Sequence, residues 1–116
     1  MVRGEIYFAD PGPRSGSEVR GARPCILVSD DAYNTQPKWN SVTVVPCTTA
    51  ERWLKPSPTN VQFEAGECGL PRRCAAIVVQ ITTLDKAKIH GPPIGRLTSG
   101  KEADLAEAIR NYLSLD

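Results

Sequence analysis

Proline and glycine punctuate this chain so densely that long regular elements have little room. Ten prolines and nine glycines are spread over 116 residues. Proline removes a backbone donor and glycine frees the backbone, so both mark turns. The expectation is many short strands rather than long helices. At this length the chain, residues 1–116, is expected to form one small domain.

The segments between the punctuation agree. Gly4 to Ala9 alternates, Ile6 and Phe8 on one side and Glu5 and Tyr7 on the other, as in a half-buried strand. Pro11 to Pro24 is rich in turn formers and charge and reads as a long mobile loop, a length often tied to function. Cys25 to Val28 is a short apolar run suited to a buried strand. Ser41 to Cys47 is β-branched, with Pro46 marking its end or an edge. Thr49 to Asn60 carries Pro56 and Pro58 and reads as a second long loop, and Val61 to Glu64 as a short strand. Ala75 to Leu84 is the longest β-prone run and is expected to be the central strand. Only the C-terminus reads as helix. Ser99 and Glu102 have the spacing of a capping box, and Leu105, Ile109, Tyr112 and Leu113 then recur as one apolar stripe. The helix is expected from about Gly100 to Leu113, closing a small, strongly bent sheet or barrel. One edge strand and one helix face of so small a sheet are expected to need a partner chain.

Composition narrows the function classes. Lys plus Arg number 14 against 13 Asp plus Glu, a net charge of +1, which excludes a polyanion binder acting through bulk charge. No apolar run is long enough to span a bilayer. Charges at Arg3, Glu5 and Asp10 interrupt any secretory leader. A cytoplasmic location is expected, in which the four cysteines stay reduced.

Most catalytic chemistries then fail on inventory. The single histidine, His90, sits beside Gly91, Pro92 and Pro93 and reads as a surface turn; no nucleophile elbow surrounds any serine. Cys68 and Cys74 are five residues apart with no second pair at finger spacing, so no metal site is expected. Those two flank the turn GLPRR and could approach closely enough to oxidise. No phosphate-cradling or dinucleotide glycine pattern occurs. What remains is arginine, threonine and loops. Arg23 precedes Pro24, which favours an extended neighbour, so its guanidinium is held at a strand mouth, suited to forked contacts with phosphate oxygens. Thr48 and Thr49 stand just after the strand SVTVVPC. If the two strand ends are neighbours, an arginine and a hydroxyl converge; on pattern alone, a solvated surface arginine is the simpler alternative.

A resemblance enters here. RGEIYFAD, then GSEVRGARP before an apolar strand, then VVPCTT, VVQITTLDKAKI, IGRL and an acidic C-terminal helix resemble, in order from Arg3 to Leu113, the MazF/PemK family of toxins. The resemblance implies a mainly β, SH3-like barrel with a C-terminal helix, as in the MazF, PemK and CcdB toxins, and a homodimer. It implies a sequence-specific endoribonuclease that cuts single-stranded RNA without metal or other cofactor, leaving a 2′,3′-cyclic phosphate and a 5′-hydroxyl. Arg23, in its G-x-R-P context, matches the family's catalytic arginine, and Thr48, in P-x-T, its catalytic threonine. Thr49 fills the adjacent Ser/Thr position, and Ser17, Glu18 and Gln80 match positions that shape the RNA groove. The implied partner is a small antitoxin whose disordered tail is expected to displace the Pro11 to Gly21 loop and cover Arg23.

The chain departs from the family pattern in two places. Val19-Arg20 stands where many members have Gln-Gly, making the loop stiffer and more basic and adding Arg20 as an RNA contact. Val79 and Thr82 stand where members often carry Glu and Arg, which removes one groove cation. Base recognition calls for aromatic platforms. Trp39, which with Tyr33 flanks a loop, is expected chiefly to anchor that loop, and Trp53 either to anchor its own loop or to offer a platform. Two rival readings share the architecture: a same-fold toxin that inhibits DNA gyrase, and a non-catalytic SH3-like peptide-binding module. Neither accounts for the paired arginine and threonine motifs.

Overall fold

The computed structural model describes residues 1–12 and 21–116. Ser17, Glu18 and Arg20, with most of the first long loop, lie outside the described residues.

Among the described residues, seven strands form one bent sheet: β1 (Glu5–Ala9), β2 (Arg23–Leu27), β3 (Ser41–Thr48), β4 (Asn60–Phe63), β5 (Cys74–Ile77), β6 (Thr82–Asp85) and β7 (Gly95–Arg96). The order is β4-β5-β3-β2-β1-β7, with β6 also on β3. The hub is β3. Its first half pairs with β6, Val44 opposite Thr82, and its last two residues pair with β5, Thr48 opposite Ala75. The expected central strand from Ala75 to Leu84 is therefore two strands. A 3₁₀ turn at Val78–Gln80 separates them, held by Ile81 N donating to Val78 O at 2.9 Å, and takes up the difference between the two registers on β3. A run that stays β-branched and apolar through a buried bend shows no break in its pattern.

Alternation along the central strands feeds two apolar clusters, one on each face. Ile6, Ile26, Val45, Cys47, Phe63 and Ala76 join the first; Tyr7, Ala9, Cys25, Leu27, Val42 and Val44 the second. Burial on both faces is why Cys25 to Leu27 reads as a continuous apolar run.

The C-terminal helix, α2 (Ser99–Leu113), begins one residue earlier than expected. Its cap is Thr98, whose hydroxyl accepts from Lys101 N at 3.2 Å, rather than Ser99. Only the first part of the apolar stripe is covered. Leu105 and Ala108 are buried in the first cluster, whereas Tyr112 and Leu113 stay exposed. A second helix escaped the sequence reading: α1 (Asp31–Asn34), capped by Asp30 accepting from Ala32 N at 2.9 Å. One turn is too short for a helical period to register.

Candidate active site

The site is built where β2 begins and β3 ends. Across β1 and β2, Ala9 pairs with Arg23 and Phe8 with Pro24. Across β2 and β3, Leu27 pairs with Val44, Ile26 with Val45 and Cys25 with Pro46. Carried two residues further, that register sets Arg23 opposite Thr48, both on the sheet face that carries Cys25 and Val44. The β2–β3 ladder ends at Cys25 and Pro46, so strand pairing runs the residues that carry Arg23 and Thr48 toward the same end of the sheet.

Arg23 is half-buried, and its Nε donates to Gly21 O at 3.1 Å, which orients the guanidinium while its terminal nitrogens point away from that bond. Burial lowers its pKa, opposed by nearby Cys25, Asp10 and Cys47. Arg23 keeps its charge near neutral pH because a guanidinium starts from a far more basic value. Among the described residues no carboxylate forms an ion pair with it. A charge that is partly desolvated and unpaired binds an anion more strongly than one in bulk water.

Thr48 is only 8% exposed, and its hydroxyl oxygen accepts from Ala50 N at 3.2 Å. The bond fixes the side chain and leaves the hydroxyl proton to donate. Thr49, one residue on, is exposed. Behind Thr48, Cys47 and Cys74 share a thiol hydrogen bond. Cys47, donating to Cys74 and enclosed, is pushed well up; the same bond holds Cys74 below its ordinary value. All four cysteines are free, and the hydrogen-bonded neighbour of Cys74 is Cys47.

The expected groove residues divide. Trp53, in the 3₁₀ turn Glu51–Trp53, is half-buried, with Arg52 at 5.8 Å over its ring and its carbonyl accepting from Gln62 Nε2 at 3.1 Å. It anchors its loop. Trp39, expected chiefly to anchor its loop, is 48% exposed, and its ring lies against the half-exposed ring of Tyr33, centroids 5.1 Å apart. Gln80 belongs to the buried turn between β5 and β6, not to a strand, and is 8% exposed. The sequence reading missed Asp10, whose charge acts on Arg23; its only signal was the register that brings the end of β1 beside the start of β2.

His90 is exposed, as a surface turn residue should be. Among the described residues no three His, Cys, Asp or Glu side chains cluster to hold a metal ion, and no helix is long and apolar enough to cross a membrane.

The family model described as "PemK-like, MazF-like toxin of type II toxin-antitoxin system" matches residues 2–113. The chain belongs to this family. Among relatives of this PemK/MazF-like chain, Endoribonuclease MazF9 of Mycobacterium tuberculosis is 36% identical over 118 residues, covering 99% of this chain and 98% of the relative. Endoribonuclease EndoA of Bacillus subtilis is 33% identical over 89 residues, covering 77% and 74%. A solved endoribonuclease in complex with its cognate antitoxin, from a mycobacterial species, superposes with a TM-score of 0.77 at 26% identity, covering 100% of this chain and 97% of that one. The Mycobacterium tuberculosis toxin MazF-mt6 gives 0.76 at 27% identity, covering 97% and 98%. The mostly β sheet with a C-terminal helix is thus the PemK/MazF-like fold.

Proposed function

We propose that this chain is a single-domain endoribonuclease toxin that cuts single-stranded RNA without a metal ion, with Arg23 and Thr48 as its catalytic residues. What supports this reading is the β2–β3 register, which carried two residues on would set a fixed guanidinium across from a fixed hydroxyl, in a family whose relatives are named endoribonucleases.

The chemistry suits that inventory. The ribose 2′-oxygen attacks its own neighbouring phosphorus, the new 2′-O–P bond forms, and the bond from phosphorus to the 5′-oxygen breaks. The 2′-hydroxyl proton leaves to solvent and the 5′-oxygen gains one, giving a 2′,3′-cyclic phosphate and a 5′-hydroxyl. The protein's tasks are alignment and stabilisation of charge on the non-bridging oxygens. Arg23 donates two hydrogen bonds to those oxygens and Thr48 a third. Thr49, exposed beside them, contacts the RNA, and the loop residues Ser17, Glu18 and Arg20 contact it from outside the described residues. Trp53 and Gln80, being largely enclosed, shape the groove from behind rather than stack on bases. With a net charge of +1, RNA binding rests on a few phosphate contacts and weakens steeply with salt.

In this reading the toxin works in the cytoplasm as a homodimer and is silenced by an antitoxin whose tail covers Arg23. The uncovered apolar end of α2, with Tyr112, Leu113 and Leu115 at 43%, 48% and 57% exposure, supports a further protein contact there. The test is a defined single-stranded RNA incubated with the protein in EDTA. Fragments with the wild type and none with Arg23→Ala are expected. Intact RNA together with inhibited DNA supercoiling would overturn the reading in favour of a gyrase poison.

A further inference from the structure

Directly behind the candidate catalytic pair, on the opposite face of the same strands, is a small cleft. Its back wall follows from the registers already described. Phe8 pairs with Pro24, the residue after Arg23, and the β2–β3 register sets Pro24 beside Cys47, the residue before Thr48. This row closes one side of a cavity of about 150 Å³. The turn that carries Leu70 and Pro71 closes the other side, Cys74 contributes to its wall, and Thr48 and Thr49 reach its mouth.

Three features of the cleft have no structural role to explain them. Phe8 is 42% exposed although it sits in mid-strand between buried Tyr7 and Ala9. Arg72 lines the mouth without a hydrogen bond or ion pair among the described residues, whereas Arg73 is tied to Glu64 at 3.8 Å and to Leu54 O at 3.3 Å. The cavity is almost wholly apolar, and it has room for one planar ring system.

We infer that this cleft is a subsite for one unpaired nucleobase of the RNA, the base adjoining the phosphate held by Arg23 and Thr48, with Phe8 as its stacking face and Arg72 closing over its mouth. The inference rests on the endoribonuclease reading and deepens it. A splayed base offers a flat apolar face whatever its identity, which an aromatic ring and a guanidinium plane both accept. Continuity with the candidate site fixes the occupant. Pro24 adjoins Arg23 and Thr48 lines the cleft itself, so an RNA strand whose phosphate lies at the ends of β2 and β3 has its next base beside the cleft mouth. The thiols of the wall are weak hydrogen-bonding groups, so the subsite grips by stacking and shape more than by reading a base edge.

The test is a cycle of protein and RNA changes. The wild-type cut is first mapped on a synthetic single-stranded RNA, and an abasic nucleotide is then placed at each position around it. With the wild type, one position beside the cut should lose about ten-fold in kcat/KM, the usual scale for a lost base stack. With Phe8→Ala the penalty at that one position should vanish, while with Phe8→Tyr it should persist; a general folding defect would lower all substrates alike. An abasic penalty unchanged in Phe8→Ala, with the wild type active, overturns the subsite and leaves the nuclease reading intact. If the same variant instead shifts the protein toward monomer, the cleft belongs to a second copy of the chain. A wild type that cuts no RNA overturns the nuclease reading and the subsite together.

Discussion

Arg23 opens β2 and Thr48 closes β3, and the antiparallel register that pairs Cys25 with Pro46 runs these two strand ends to the same edge of the sheet. Neither side chain is loose: one is tied to Gly21 O and the other to Ala50 N. Donors held this way need little reorganisation when charge builds on a phosphate. Removing one such donor typically costs ~10²–10³ in rate. Arg23→Ala is therefore expected to lower kcat on single-stranded RNA by about that factor. Arg23→Lys should recover only part of it, because an ammonium cannot reproduce a fork of two parallel bonds. Activity within about three-fold of wild type in Arg23→Ala, measured by gel, would remove Arg23 from the chemistry.

Thr48 separates the hydroxyl from its shape. Thr48→Val keeps the volume and loses both the donor and the acceptor for Ala50 N. The expected result is at least about a ten-fold loss in kcat with about 1 kcal/mol of stability. Thr48→Ser restores both functions and should stay close to wild type. Equal kcat in the serine and valine variants would show that the hydroxyl takes no part.

Alkaline pH should unfold the protein through its buried thiols. Burial pushes Cys25 from its ordinary 9.0 to about 12. Above pH 9 the unfolded chain sheds this proton while the folded chain keeps it. Stability is therefore fully present below pH 9 and is lost as pH rises toward 12. Tyr7, raised from 10.0 to about 12 by burial and by its bond to Glu5, adds to the same slope from pH 10 upward. In urea titrations at several pH values, Cys25→Ala should show a shallower decline above pH 9 than the wild type; an identical slope would clear Cys25.

Two glycines should respond in opposite senses to alanine. A Cβ on Gly95 would strike the carbonyl oxygen of Cys68 and crowd the backbone of Gly69, prising β7 from the turn Glu67–Gly69. Such overpacking of backbone against backbone should cost about 1–3 kcal/mol. A Cβ on Gly100, in the first turn of α2, meets nothing within 4 Å. Gly100→Ala should raise stability by about 0.5 kcal/mol by favouring the helix. Thermal melts of the two variants check both; a Gly95→Ala protein as stable as wild type would mean that the contact relaxes freely.

Much of the fold was legible before any coordinates. Short strands bounded by proline and glycine stand within a residue or two of the expected places, and α2 lies where its stripe and acidic first turn put it. The failures have physical causes. Ala75 to Leu84 shows no break because Val78 is buried through the bend just as a strand residue would be. The cap slipped from Ser99 to Thr98 because both hydroxyls have the right chemistry, and only that of Thr98 bonds Lys101 N. The surroundings of the two tryptophans were not legible because enclosure depends on what tertiary structure brings to a ring: Arg52 lies over Trp53, whereas Trp39 stays half-exposed against Tyr33.

Residue types and their order carried the resemblance to the PemK/MazF toxins, and with it the expectation of an arginine and a threonine acting on a phosphodiester, because motif order and local backbone preference are properties of the chain itself. What the tertiary structure decided is adjacency. Whether Arg23 meets Thr48, whether Phe8 faces a cleft or a core, and which thiol touches Cys74 all depend on strand register. Register is set by the burial of both sheet faces at once, an energy that belongs to the folded molecule and to no segment of it.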